Sequence, residues 1–321
     1  MSQEQTTAQE GQAAEAALAL EYAIPPRQRF NPFKWARREP FGAFGLVLIG
    51  LVVFLSLAAP VLRTSPPNEF AVGPPLAGPN ADNWFGTTAR GKDVWSRVLF
   101  AGRISLKIGI ATVLLGTLGG TLIALVSAYA GGAVDFAVGR IADMFISIPG
   151  ILIALVLHSS ISADLPDLPG LQRQELYLVI AISLFFMPGT YRIMRGTVLE
   201  LREATYVEAA QVVGSSSFRI MWRHVAPNMF GLMIVITSIS LPAAILTEAT
   251  LSFLGLGVPI GGLDAVPSWG ADLSGSSRRF FSVAPWLAIF PGLALAITVF
   301  GFNIFGDSLR DTLDPRLRGR I

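Results

Sequence analysis

Residues 200–228 read ELREATYVEAAQVVGSSSFRIMWRHVAPN, the longest polar break between apolar segments in the C-terminal two thirds of the chain. We call this stretch the 200–228 segment. Its pattern predicts two short helices that meet at Gly214, because glycine commonly ends a helix and the serines at 215–217 are favoured N-caps. The pattern alone fits an ordinary surface loop with two amphipathic turns equally well, so its role depends on the rest of the chain.

The two predicted helices differ in character. The first carries three acidic residues, Glu200, Glu203 and Glu208. The second carries Arg219 and Arg223 four positions apart, away from its apolar side chains. Those apolar side chains recur at the i, i+3, i+4 and i+7 spacing of a single helical stripe. They are Phe218, Met221, Trp222 and Val225.

The composition places the chain in a lipid bilayer. Hydrophobic residues make up 52% of it and charged residues 14%, whereas soluble domains average about 25% charged residues. The mean hydropathy is +0.56. The net charge of +2 gives no support for a nucleic-acid partner.

Residues that catalytic and metal sites need are scarce in this sequence. It contains no cysteine, which excludes disulfides, thiolate metal sites and a cysteine nucleophile. The two histidines, His158 and His224, are too far apart in sequence to suggest a metal site. There is no paired-histidine motif and no pair of intramembrane aspartates. We therefore expect no enzymatic activity and no cofactor bound by this chain.

Long apolar stretches predict the fold class. A helix needs about 20 apolar residues to cross a bilayer. Six such stretches predict an all-α, polytopic membrane protein with both termini on one side. The predicted spans are Phe41–Leu62, Ile104–Val134, Met144–Ser162, Leu176–Met194, Met229–Leu256 and Ser282–Gly306.

Basic residues indicate which side the termini occupy. They precede the first span, lie between spans two and three and between four and five, and follow span six, all on one face. Because loops rich in Lys and Arg stay in the cytoplasm, the termini and the 200–228 segment are predicted to be cytoplasmic. The predicted layout is a disordered cytosolic tail with a basic end (1–38), a first span with an outer loop and amphipathic helix (39–103), a core of spans two to six (104–308) and a basic cytosolic tail (309–321).

Residues 86–93, GTTARGKD, match seven positions of a phosphate-binding loop but place Asp93 where a hydroxyl should hold magnesium. A carboxylate there would repel phosphate. The sequence therefore favours a turn built on Gly86 and Gly91, followed by a helix whose N-terminus is stabilised by Asp93. We expect Asp93 to pair with Arg97 four positions on, and the amphipathic piece 94–100 to lie at the membrane surface.

Three features inside the predicted spans bear on packing. Gly116 and Gly120 form a G-x-x-x-G pattern, which predicts close approach of two helices. Glu248 is a buried carboxylate, a functional hypothesis by default, although its isolation favours a structural hydrogen bond. Prolines inside spans each predict a kink, which can be a hinge or a static bend, and we favour a static bend. They are Pro149, Pro188, Pro242 and Pro291.

The 200–228 segment also carries a family signature. Glu208-Ala209-Ala210, then Gly214, then His224 and Pro227 resemble the EAA loop of ABC importer permeases. Other motifs resemble one subgroup, the C-type permeases of dipeptide, oligopeptide and nickel importers, over about residues 29–318. These motifs are Gly86-Thr87, Gly91-Lys92-Asp93, Ser96-Arg97, Thr247-Glu248-Ala249 and Gly306-Asp307.

Three positions depart from the usual family pattern. Thr88 replaces Asp and Lys92 replaces Arg in the outer turn, and Ala226 replaces the Leu that normally precedes Pro227. The loss of an apolar side chain at Ala226 would soften the end of the EAA loop. These departures do not affect the family resemblance, and they leave the cargo open.

The resemblance implies a type I ABC importer fold in which this chain is one membrane half and hydrolyses no ATP itself. Implied partners are a homologous B-type permease that completes a heterodimer, two cytoplasmic ATPase subunits that bind ATP and Mg, an extracytoplasmic substrate-binding protein and the lipid bilayer. The implied ATPase-coupling residues are Glu208, Ala209, Ala210, Gly214, Ser217, Arg219, Arg223, His224 and Pro227. The implied structural motif residues are Gly86, Gly91, Asp93, Arg97, Glu248 and Asp307.

The resemblance further implies the cell membrane of a bacterium or archaeon, with di- or oligopeptides as the expected cargo. Nickel chelates, glutathione or another small solute remain alternatives. A secondary transporter that needs no ATPase, and a scaffold or channel-like protein, are the alternatives from other classes.

Overall fold

A computed structural model describes residues 32–161, 165–257 and 268–313. Their regular structure is helical apart from two isolated bridges, Thr87 with Asp93 and Leu168 with Leu171, which confirms the all-α prediction. The helices are α1 Pro32–Arg38, α2 Pro40–Leu57, α3 Ala59–Leu62, α4 Val94–Ala130, α5 Gly132–Ser147, α6 Gly150–Ile161, α7 Arg173–Arg202, α8 Thr205–Val212, α9 Ser217–Ile220, a π-helical turn Met221–Val225, α10 Ala226–Phe253, α11 Trp269–Leu273, α12 Ser276–Arg279 and α13 Trp286–Leu313.

The described residues contain five helices that are long and apolar enough to cross a membrane. They are α2, α4, α7, the continuous helix from Ser217 through α10, and α13. A sixth span results if α5 and α6 cross together as a bent pair. The chain is therefore a multi-pass helical membrane protein.

The third predicted span, Met144–Ser162, is sharply bent beside Pro149, which confirms the bend predicted at that proline. Helix α5 ends at Ser147 and α6 begins at Gly150, and the two helices are bent by 93°. Pro149 disfavours the helical conformation of the residue before it, and Ile148 is extended, with φ −91° and ψ 125°. Pro188, Pro242 and Pro291 each lie inside a continuous helix.

Helix boundaries differ from the prediction at several places. Helix α4 begins at Val94 rather than Ile104, so residues 94–100 are its first turns and not a separate surface piece. Val94, Val98 and Leu99 are buried there, which explains why α4 continues through the predicted domain boundary at 103.

The predicted tails are partly helical. Helix α1 occupies residues 32–38 of the predicted disordered tail, and Pro32 has the fixed φ that suits a first helical position. Helix α13 continues past residue 308 to Leu313. Residues 1–31 and 314–321 of the two predicted tails lie outside the described residues.

Helices α4 and α7 pack closely through the predicted G-x-x-x-G pattern. A Cβ added at Gly120 would lie 2.7 Å from the Met187 carbonyl oxygen, and one at Gly116 would lie 3.3 Å from Phe186 Cβ. At Gly120 a Cβ would clash with the α7 backbone, so glycine is required there, and at Gly116 it would be tighter than an ordinary contact. The prediction that these glycines pack inside the helical body is confirmed.

Helix α4 also defines two ends of the bundle. At its N-terminus lies the 63–93 loop, whose Phe85 ring stacks on Phe290 of α13 at 3.8 Å. At its C-terminus the Ala128 carbonyl accepts a hydrogen bond from the Arg202 guanidinium. The 200–228 segment therefore lies at the end of the bundle opposite the 63–93 loop.

Candidate functional site

The 200–228 segment turns sharply at Gly214, as predicted. Helix α8 ends in a Schellman motif, in which Ser215 N donates to the Ala210 carbonyl at 3.0 Å and Gly214 N to the Gln211 carbonyl at 2.9 Å. Gly214 has φ +82°, the left-handed region that favours glycine. Ser216 then caps α9 by accepting from Arg219 N. The predicted helix–glycine–helix arrangement is confirmed.

The acidic residues of the segment do not share one helix. Glu200 lies in the last turn of α7, Glu203 is the C-cap of that helix, and Glu208 alone belongs to α8. The prediction failed because α7 continues beyond its apolar stretch to Arg202. Sequence polarity marks where a span leaves the apolar region, but it does not mark where the helix ends.

The predicted apolar stripe splits into two faces. Met221 and Val225 are buried, whereas Phe218 is 70% exposed and Trp222 is 44% exposed. The π-helical turn Met221–Val225 causes this split. Its i→i+5 hydrogen bonding changes the angular spacing that the 3.6-residue pattern assumes. A single apolar stripe is therefore wrong.

The buried face anchors the segment to the bundle. Val207 of α8, Ile220 of α9 and Val225 of the π-helical turn are fully or almost fully buried. They pack in one cluster with residues of α4, α7 and α10, including Met194 and Met229. Each such side chain contributes about 1.5–3 kcal/mol when fully buried. The segment is therefore packed against the helix ends that it connects.

The exposed face carries a set of apolar side chains that flank the Gly214 turn. Val212 is 87% exposed, Val213 is 85% exposed, and the Phe218 and Trp222 rings lie 6.2 Å apart. We call Val212, Val213, Phe218 and Trp222 the apolar tip. Exposed apolar groups clustered in this way mark interaction sites. Neither valine belonged to the predicted site, although their position just before a helix-ending glycine was a usable signal.

The residues predicted to couple to an ATPase lie in the same segment as the apolar tip. Ala210 and His224 are half-buried, and the others are exposed. Glu208 supplies an acidic group, and Arg219 and Arg223 supply basic ones. Asn228 Nδ2 donates to the His224 carbonyl at 2.6 Å, which joins the π-helical turn to α10. The exposed residues of the predicted set are Glu208, Ala209, Gly214, Ser217, Arg219, Arg223 and Pro227.

Two ion pairs near this end were not predicted. Arg195 Nε of α7 donates to Asp135 Oδ1 of α5 at 2.7 Å, and Asp135 is buried. Arg192 of α7 pairs with Asp143 of α5. Charged groups beside apolar spans need partners, which was a signal that such pairs exist. Sequence spacing gave no way to match the partners across two helices.

The structural motif residues at the opposite end form a compact turn. Gly86 and Gly91 have φ +75° and +69°. The Asp93 carboxylate accepts from Ser96 N at 2.8 Å, and thus caps α4 as predicted, and it also accepts from Thr64 Oγ1 at 2.6 Å. Asp93 is fully buried in this capping role, which agrees with a turn rather than a phosphate site.

The predicted pairing of Asp93 with Arg97 is wrong. Arg97 instead pairs with Asp272 of α11, because Asp93 points back to its own helix N-terminus. Lys92 lies nearby with its Nζ 4.4 Å from the centre of the Phe70 ring. Burial, together with the neighbouring guanidinium groups of Arg97 and Arg90, lowers the pKa of Lys92.

Glu248 is fully buried in α10, and its Oε1 accepts from Ser252 Oγ at 2.7 Å. This contact is of the structural kind that the sequence predicted, and a role in transport stays a prediction. Asp307 is exposed on α13. Among the described residues, no group of three or more His, Cys, Asp or Glu side chains is placed to hold a metal ion.

Residues 116–319 match the profile of a protein family described as the binding-protein-dependent transport system inner membrane component. The chain belongs to this family. The matched range includes α7, the 200–228 segment and α10. As a member of the binding-protein-dependent transport family, the chain works within a transporter complex that has other subunits.

Curated relatives match nearly the whole chain. It is 34% identical over 286 residues to the dipeptide transport system permease protein DppC of Alkalihalophilus pseudofirmus, covering 89% of each chain. It is 34% identical to the oligopeptide transport system permease protein OppC of Bacillus subtilis, covering 88% of each chain. It is 34% identical to a glutathione transport system permease protein GsiD of Escherichia coli, covering 95% of this chain and 97% of the relative.

Proposed function

We propose that this chain is a membrane-spanning subunit of an ATP-driven importer and that its cargo is short peptides. The observation that supports the coupling role is the apolar tip, which stays exposed while the opposite face of the same segment is buried. An exposed apolar surface held on a packed base suits docking to another protein. Family membership and the peptide permeases among the relatives support the cargo class.

The proposed partners of the apolar tip are ATPase subunits, and ATP and Mg bind to those subunits rather than to this chain. Closure of two ATPases on ATP would displace the 200–228 segment, and with it α7 and α10. Alternating access follows if the bundle has two packings that differ by a few kcal/mol and the ATPase state selects between them. A second, homologous permease and an outer substrate-binding protein complete the proposed assembly.

Affinity purification from native membranes tests this function. We expect an ATPase and a second permease to co-purify with the tagged chain. In proteoliposomes, uptake of a labelled dipeptide should require both ATP and the substrate-binding protein. Peptide uptake that persists without nucleotide would instead support a secondary transporter, and the absence of any co-purifying ATPase would support a scaffold or channel.

Glutathione is a second candidate cargo, because one relative named as a glutathione permease covers 95% of this chain. Glutathione is itself peptide-like, with free carboxylates and an amide backbone. A competition assay separates the two candidates. With labelled dipeptide and excess unlabelled glutathione, uptake should be unchanged if peptides are the cargo; with labelled glutathione and excess unlabelled dipeptide, uptake should be present and unchanged if glutathione is.

The proposed cytoplasmic position of the 200–228 segment can be tested with single cysteines, since the chain contains none. We expect Gln211→Cys, at an exposed site on α8, to resist an impermeant thiol reagent added outside intact cells. Asp82→Cys, exposed in the 63–93 loop at the opposite end, should react and serves as the control. Labelling at position 211 with protection at position 82 would show that the orientation is the reverse of the one proposed.

Gly214→Val should impair coupling without disrupting the bundle. Beyond Gly214 itself and its two chain neighbours, no heavy atom lies within 4 Å of the position that a Cβ would take, so the φ of +82° is the source of strain. A left-handed conformation costs an L-residue about 1–2 kcal/mol, and a β-branched residue tolerates it least. We expect peptide uptake and substrate-stimulated ATP hydrolysis to fall together, with normal complex yield. Peptide uptake by Gly214→Asn should stay closer to wild type, because asparagine accepts this conformation more readily. Full transport by Gly214→Val would contradict the proposed coupling role of Gly214.

A further inference from the structure

Two cavities lie on either side of one ridge on α10. The larger, about 540 Å³, lies between α10, α12 and α13. The smaller, about 220 Å³, lies between α6, α7 and α10. Leu246 and Thr250 line both cavities. Both side chains are on the exposed face of α10. The two cavities therefore form neighbouring pockets on a single accessible surface.

The walls of the larger cavity are mostly apolar and include one cation. Its apolar lining includes Phe253, Leu273 and Phe281, and two hydroxyl-bearing residues, Thr250 and Ser277, add limited polarity. A volume of about 540 Å³ falls within the range of about 300–1,000 Å³ that small-molecule pockets occupy. Mostly apolar walls with a few placed polar groups are typical of such pockets.

Arg278 is the cation, and it is positioned to meet an anionic group. Its guanidinium lies 5.5 Å from the centre of the Phe253 ring, which forms part of the same cavity wall. Its side chain is exposed, and none of the described carboxylates lies within ion-pair distance of it. A guanidinium held over an aromatic ring at the rim of an apolar cavity can bind a carboxylate through paired N–H donors.

The cavity lies at the end of the bundle opposite the apolar tip. Leu273 and Ser277 of its wall precede α13, and Ala288 lies in the first turns of that helix. Trp286 Nε1, in the first turn of α13, donates to the Thr87 carbonyl of the 63–93 loop. In the orientation proposed above, this is the side from which cargo arrives.

We propose that these cavities form a cargo-contact site, in which Arg278 binds the C-terminal carboxylate of a short peptide and the apolar walls receive its side chains. This inference rests on the proposed import function and identifies the feature of the cargo that the permease itself recognises. The charge complementarity of one exposed guanidinium with one terminal carboxylate favours a peptide over an apolar occupant such as a lipid chain.

The neighbouring Arg279 provides a matched control. It is also exposed, lies 5.7 Å from the centre of the Phe280 ring, and does not line the cavity. Arg278→Gln and Arg279→Gln would each be reconstituted with the complete complex. Uptake would be measured for a labelled tripeptide and for the same tripeptide with a C-terminal amide, at the same concentration of substrate-binding protein.

We expect Arg278→Gln to lower uptake of the free-acid peptide about tenfold, a typical loss for a hydrogen bond to a charged group. Uptake of the amidated peptide should be unchanged in this variant, and Arg279→Gln should match wild type with both peptides. Every sample contains the same substrate-binding protein, so the peptide preference of that protein affects the wild type and both variants equally. Equal losses for both peptides, or equal effects of the two substitutions, would overturn the proposal.

A second readout does not depend on transport. Thr250→Cys introduces the only thiol of the chain between the two cavities. Free-acid peptide should slow alkylation of this cysteine in the purified complex, and this protection should be lost when Arg278→Gln is added.

The alternative occupant of the cavity is the second permease. If the cavity binds that subunit, Arg278→Gln would reduce its co-purification, and the cargo assignment would fail. A wild-type complex that imports no peptide at all would count against the proposed function, and it would be recognised as such before any variant is compared.

Discussion

Phe218→Asp is expected to abolish peptide uptake and to release the ATPase from the purified complex. Phe218 is 70% exposed and lies in the apolar tip beside Trp222. Aromatic side chains at the centre of an interface typically contribute 2 kcal/mol or more, which corresponds to roughly a 30-fold change in affinity. A carboxylate in place of the ring removes that contact and also adds a charge that must be desolvated on docking. Pull-down of the ATPase and ATP-dependent uptake would both be measured.

Two control variants make this result specific. Thr205→Asp adds the same charge at the exposed first residue of α8, where a carboxylate suits the helix N-terminus. Phe218→Leu keeps an apolar side chain of smaller size. We expect ATPase capture near wild type for the first control and a partial loss for the second. If Phe218→Asp captured the ATPase as well as wild type, the apolar tip would not be the docking surface.

Breaking the ion pair between Arg97 and Asp272 is expected to destabilise the opposite end of the bundle strongly. The two side chains are only 14% and 12% exposed, and they join α4 to α11 across 175 positions of sequence. Removing one partner of a buried pair leaves the other charge uncompensated and costs about 3–5 kcal/mol. Arg97→Met and Asp272→Leu should each lower the free energy of unfolding in mixed micelles by that amount.

The double variant distinguishes loss of the pair from poor packing. With both charges removed and apolar side chains in their place, most of the lost stability should return, because no unpaired charge remains. Arg97 also donates to the Pro67 carbonyl at 3.2 Å and to Asn68 Oδ1 at 3.3 Å, so the 63–93 loop should loosen in Arg97→Met. Single variants that cost less than about 1 kcal/mol would show that the pair is solvated and weak.

Local features of this fold were predictable because their causes are local. Gly214 ends α8 in a left-handed conformation, and Asp93 caps α4 through Ser96 N, and both follow from helix-end chemistry within a few residues. The G-x-x-x-G contact at Gly116 and Gly120 was also predictable, because small residues at this spacing in a span let two helix backbones approach closely.

Features that depend on a distant partner were not predictable from the sequence. Spacing suggested Asp93 as the partner of Arg97, but that carboxylate is already engaged by the helix N-terminus and by Thr64. Asp272 comes close to Arg97 only in the tertiary structure. The pairing of Asp135 with Arg195 was missed for the same reason.

The prediction of a single apolar stripe in the 200–228 segment was wrong for another reason. A regular 3.6-residue period assumes an uninterrupted α-helix, and the π-helical turn Met221–Val225 breaks that assumption. Its effect is to place Phe218 and Trp222 outward while Met221 and Val225 stay in the core. The candidate docking surface therefore depends on an irregularity that periodicity cannot reveal.

The helical run from Ser217 to Phe253, which includes the π-helical turn, contains 37 residues. At 1.5 Å per residue its length is about 55 Å, nearly twice the thickness of a bilayer's hydrocarbon core. A tilt of about 5° in a rod of that length shifts one end by about 5 Å relative to the other. One end carries Phe218, and the other carries Phe253 in the cavity wall. A small angular displacement imposed at the apolar tip would thus change the width of the cavity by about one side chain, while the helix keeps its backbone hydrogen bonds.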